Sequence, residues 1–181
     1  MIVGIQMKST AVAEQLADIG DLDGALNSLR RIVRAIRVSS HAAEESLRIS
    51  GAQLFVLQQL AAHPGASLGE LAELTLTHQS SVSVVVSRLV ARRLVTRRAS
   101  DADGRRLELS LTATGRALLA RAPELAQARL LHALRALPAR ELRLVARTLE
   151  QVAGAMDLEP GPPGMFFERE QEPDPPRRRK K

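Results

Sequence analysis

The chain has 181 residues, no cysteine, 2% aromatic side chains and a formal charge of +6. That length suits one substantial domain. The missing thiols exclude disulfides, thiolate zinc sites and thiol redox switches. A core poor in aromatics must be built from Leu, Val, Ile and Ala, which predicts a mostly α fold. All but three of the 26 basic residues are arginine; its planar fork donates two parallel hydrogen bonds to a phosphate, so nucleic acid is the expected partner.

The opening MIVGIQMK lacks both a charged leader ahead of a long apolar run and a cleavage-like site. No stretch approaches the length that a bilayer crossing needs, so no membrane association and a cytoplasmic location are expected. Residues 10–19 read as a short helix closed by Gly20 as a left-handed C-terminal cap, which makes 1–20 an N-terminal extension. Residues 21–49 read as one longer amphipathic helix, with Leu22, Leu26, Leu29, Val33 and Ile36 three or four apart, continuing to Ala43 and Leu47. Arg30, Arg31, Arg34 and Arg37 take its other faces. The stripe is too long for the segment after it to cover, so part of it is expected to meet another chain.

Ser50 and Gln53 have capping-box spacing, and they open a helix that should stop before Pro64-Gly65. Ser67 and Glu70 repeat the box ahead of a helix with Leu68, Leu71, Ala72 and Leu74 inward and its apolar face ending at Thr75. Thr77 is the expected N-cap of the next helix, whose stripe is Val82, Val85, Val86 and Leu89 at about 3.6 residues per turn. Ser80, Val84, Ser87, Arg88 and Ala91 fall opposite, a small-residue face able to approach a DNA groove closely. On an isolated helix that face would be ordinary solvated surface. Residues 95–112 argue otherwise: Arg97 and Arg98 lie on a β-like run, then come a basic turn with Asp101, Asp103, Gly104, Arg105 and Arg106, and LELSLT. Asp103-Gly104 is a strong hairpin signal. A small-faced helix succeeded by an arginine-bearing two-stranded ribbon is the plan of a winged helix-turn-helix, here spanning residues 50–112.

Thr112 should cap a further helix through Gly115, Arg116, Leu118, Leu119, Leu125, Leu130, Leu134 and Leu137, bent or broken in the turn before Pro123. A last helix is expected to start near Pro138 and to carry Leu142, Val145, Leu149, Val152 and Met156, again three and four apart, flanked by Arg140, Arg143, Arg147 and Glu150. These stripes fit either an intramolecular bundle or a homodimer interlocked through 21–49 and 113–158; the dimer is the favoured reading. Residues 159–181 turn abruptly proline-rich and charged and read as a disordered or extended tail, with Phe166, Phe167 and a basic run at 177–181.

The chain resembles the MarR family of bacterial transcriptional regulators. The matching residues are Arg88-Leu89 and Leu94-Val95, the Asp103-x-Arg105 wing and Leu111-Thr112-x-x-Gly115. The resemblance implies a dimeric winged helix-turn-helix, commonly a repressor, released when a small molecule binds between the dimerisation helices and the DNA-binding unit. On a palindromic double-stranded operator, Ser80, Ser81, Val84 and Arg88 are the expected major-groove contacts, with Thr77, His78 and Gln79 nearer the phosphates. Arg105 and Arg106 are expected in the adjacent minor groove. Asp103 would brace the wing; Arg97 and Arg98 would contact backbone or support the wing. Arg93 departs from the family pattern, in which Gly commonly comes after this helix. The alternative is a winged-helix dimer that binds a protein partner or acts as an antirepressor.

His41 with Glu44 and Glu45 has helical metal-ligand spacing, but such exposed trios are common without a metal, and none is expected. No nucleophile motif or phosphate-cradling glycine loop is present, so neither an enzyme nor a cofactor is predicted.

Overall fold

The computed structural model describes residues 3–99 and 107–158, with side chains from residue 19 onward. These residues form α1 (Val3–Leu47), α2 (Gly51–Ala62), α3 (Leu68–Thr75), α4 (Gln79–Ala91), β1 (Val95–Ala99), β2 (Leu107–Leu111), α5 (Ala113–Leu119), α6 (Ala126–Arg135) and α7 (Ala139–Ala155). The mostly α architecture with one two-stranded antiparallel sheet is the expected one. The chain divides into two compact units, Met1–Val38 and Ser39–Lys181, with the division inside α1.

In the first unit the helix runs through Gly20 without interruption, contrary to the cap expected there. One glycine costs a helix interior about 1 kcal/mol relative to alanine, less than breaking a long run of good helix formers. Ile19, Leu22, Leu26, Leu29 and Val33 are all exposed.

The second unit is built on α2, which is apolar on every side and buried along most of its length, as such a helix must be. Its capping box is closed: the Ser50 Oγ accepts from the Gln53 N–H at 3.2 Å and the Gln53 Oε1 accepts from the Ser50 N–H at 3.1 Å. The second box is closed too, with the Ser67 N–H donating to Glu70 Oε2 at 2.8 Å. In α3, Leu71 and Ala72 are buried, and Thr75 is buried as well, so the inward face runs further than its polarity suggested. The reason is local: the Thr75 hydroxyl donates to the Leu71 carbonyl at 2.7 Å, which removes its need for water.

β1 and β2 pair in the register Val95↔Leu111, Arg97↔Leu109, Ala99↔Leu107. The α2–α3 connection adds to this ribbon. Gly65, at φ 82°, donates its N–H to the Leu109 carbonyl at 3.0 Å, and the Leu109 N–H donates to the Ala66 carbonyl at 3.0 Å. Leu109 is thereby clamped from both sides and fully buried.

The chain leaves helix after Leu119 and re-enters at Ala126, so the expected interruption near Pro123 is a complete break. Leu125 sits at the N-cap of α6 and is buried, while the Ala126 N–H donates to Ser39 Oγ at 3.1 Å. Pro138 precedes α7, where its missing N–H costs nothing. No residue of α7 is buried, and Leu142, Leu144, Leu149, Val152 and Met156 are exposed. No helix among the described residues is long and apolar enough to cross a membrane.

Candidate nucleic-acid interface

The stripe that seats α4 is complete: Val82, Val85, Val86 and Leu89 are each no more than 1% exposed. That fixes the rotation of the helix and turns Ser80, Val84, Ser87 and Ala91 outward, as the spacing predicts. His78 and Gln79 are exposed, and Ser81 and Arg88 are half-buried. The N-cap is His78 rather than Thr77, and no side chain caps the helix. Thr77 is diverted because its Oγ1 pairs with Thr75 Oγ1 at 2.7 Å and its N–H donates to the Ala72 carbonyl at 3.0 Å. Amides of an uncapped first turn point along the positive end of the helix dipole, an arrangement that favours an anion.

The ribbon is tied to this helix by a contact that sequence spacing does not reveal. Arg97 Nη2 donates to Ser87 Oγ at 2.9 Å, across ten residues of chain. Arg97 also lines a cleft with Ser67, Leu68, Gly69, Gln79, Leu107 and Leu109, where the start of α3, the start of α4 and the outer half of the ribbon meet. Arg98 is exposed on β1 opposite Glu108. Arg88 stands apart from the other outward residues: it lines a second cleft with His41, Glu44, Glu45, Arg48, Ile49, Ser50 and Gln53. Asp101, Asp103, Gly104, Arg105 and Arg106 lie outside the described residues.

Residues 49–106 match the model of the MarR family. The matched segment is the winged helix, and over it the chain is similar to that family. Among solved structures it is similar to the transcriptional regulator BldR from Sulfolobus solfataricus, with 21% identity, 76% of this chain and 97% of that one covered, and a TM-score of 0.50. It is also similar to FabT from Streptococcus pneumoniae, solved in complex with DNA, with 16% identity, 78% and 99% coverage and a TM-score of 0.50. At these identities the likeness is one of fold. No curated protein sequence matches the chain. Regulators of the MarR family are transcription factors and not enzymes.

Arg93, the departure from the MarR-family pattern, adopts the left-handed conformation that glycine would take, with φ 57°. The Arg93 N–H donates to the Val90 carbonyl at 2.8 Å and the Leu94 N–H to the Leu89 carbonyl at 3.0 Å, the two bonds of a Schellman closure. Thr112 Oγ1 donates to the Arg93 carbonyl at 2.8 Å and locks the turn from the far end of the ribbon. The helix end keeps its geometry and Arg93 carries the strain. Arg93→Gly is therefore expected to raise unfolding stability by about 0.5–1 kcal/mol, measured by urea denaturation; a loss would show that the arginine side chain makes a compensating contact.

The His41 Nε2 lies 3.2 Å from Glu45 Oε1, both side chains well exposed. Among the described residues no group of three His, Cys, Asp or Glu side chains is placed to hold a metal ion.

Proposed function

We propose that the chain is a homodimeric, sequence-specific DNA-binding regulator, a repressor that a small molecule releases from a palindromic operator. The observation that carries this reading is the outward face of α4, hydroxylic at Ser80 and Ser87 and small and apolar at Val84, with the ribbon held beside it by Arg97. A helix of that kind can lie deep in a major groove. Ser80, Ser81 and Val84 would reach base edges, with His78, Gln79 and the first-turn amides at the phosphates. Arg88 would reach the groove from the edge of its cleft, and Arg105 and Arg106 would enter the minor groove beyond the ribbon. The FabT structure, of the same fold, holds DNA. Residues 50–112 then form the reading head, and the exposed stripes of α1 and α7 supply the dimer contacts, with the effector bound between them and the head.

Affinity for a palindromic operator, measured against salt, tests this reading. Roughly six to ten phosphate contacts give a log-log slope of roughly −5 to −9, whereas a flat dependence would exclude DNA as the target. Arg105→Ala is expected to weaken binding and to leave the dimer intact in sedimentation; unchanged affinity would remove the wing from the interface.

A further inference from the structure

The exposed stripe of α1 has a period and a charge pattern that specify its partner. Ile19, Leu22, Leu26, Leu29, Val33 and Ile36 succeed one another at intervals of three, four, three, four and three. This 3.5-residue period is that of a coiled-coil seam, in which each apolar side chain enters a hole on a facing helix. The first five are between 41% and 61% exposed, and Ile36 is buried, so the open part of the seam runs from Ile19 to Val33. Apolar rows of this size mark interaction surfaces.

Charge fixes the direction of the facing helix. Residues 9–29 contain Glu14, Asp18, Asp21 and Asp23 and no basic residue; residues 30–43 contain Arg30, Arg31, Arg34 and Arg37 and no acidic one. Two such helices laid parallel would set acid against acid and arginine against arginine. Laid antiparallel, each acidic half meets an arginine half. Asp23 and Arg30 are seven residues apart along one edge of the seam, joined within one copy through Asn27. The Asn27 Nδ2 donates to Asp23 Oδ2 at 3.0 Å and Arg30 Nη1 donates to Asn27 Oδ1 at 3.2 Å. Edge charges of this kind set orientation in coiled coils.

We propose that α1 of one copy pairs antiparallel with α1 of a second copy along this seam, with Leu26 facing Leu29, Leu22 facing Val33, and Asp23 beside Arg30 of the other copy. The proposal rests on the homodimer reading and adds the contact and its direction.

The chain has no cysteine, so the full-length Leu22→Cys/Val33→Cys variant reports pairing without background. Eleven residues of helix separate the two positions by about 16 Å, too far for a disulfide within one copy. Mild oxidation and then peptide mapping are expected to show 22–33 bridges between copies. Bridges of 22 to 22 and 33 to 33 would mean parallel pairing and overturn the proposal. A dimer by sedimentation without any α1–α1 bridge would overturn it and leave the homodimer standing, and a protein monomeric at all concentrations would remove both. A second pair of variants keeps the seam intact. Asp23→Arg is expected to weaken dimerisation about tenfold at low salt, and adding Arg30→Asp to restore it; failure of the rescue counts against the antiparallel register.

Discussion

Gly115→Ala is expected to lower the unfolding stability of the winged helix by about 3 kcal/mol, one of the largest effects of any single methyl added to this chain. A Cβ at Gly115 would fall well inside contact distance of the Leu94 carbonyl oxygen and within 3.1 Å of its carbon. These are backbone atoms and cannot rotate away. The same carbonyl accepts the Thr112 N–H at 3.0 Å, and Thr112 Oγ1 in turn accepts the Gly115 N–H at 2.9 Å. Moving Leu94 aside therefore breaks the joint between α4, the ribbon and α5. Gly51→Ala provides the comparison, because there the nearest atom is the Ser40 hydroxyl on a rotatable side chain. Urea denaturation of both variants should show Gly115→Ala as clearly the more damaging; equal losses would mean that the joint yields as easily as a side chain.

Val84→Glu is expected to reduce operator affinity at least ~100-fold without changing the melting temperature, since a carboxylate in the groove would face phosphates at close range, and like charges juxtaposed there cost several kcal/mol. Val84 is 38% exposed on the outward face of α4, so the folded head tolerates the charge. Val85, one residue on, is 1% exposed, and Val85→Glu is expected to unfold the head because the carboxylate would be buried without a partner. Melting curves together with DNA titration separate the two. Full affinity in Val84→Glu would place the DNA contact elsewhere on the molecule.

Much of this head is legible in the chain itself. The capping boxes at Ser50 and Ser67, the stripe from Val82 to Leu89, the break near Pro123 and the Thr112 cap all rest on interactions spanning at most four residues, so residue order alone specifies them. Where the local reading strayed, a competing interaction close in the chain decided. Gly20 stays helical because the runs on both sides outweigh one glycine. Thr77 does not cap α4 because the Thr75 hydroxyl holds it, and Thr75 is buried because its own helix satisfies it.

Residue order by itself determined the helical class, the small outward face of α4 and the apolar stripes of α1 and α7, because periodicity is a property of the chain. Only the tertiary structure decided that Arg97 reaches Ser87, that Arg88 turns toward a cleft containing Glu44 and Glu45, that Leu109 is clamped by Gly65 and Ala66, and that Gly115 has no room for a methyl group. Each of these joins residues ten or more positions apart, and such pairs meet only after burial of the α2 and α4 stripes has set the elements against one another.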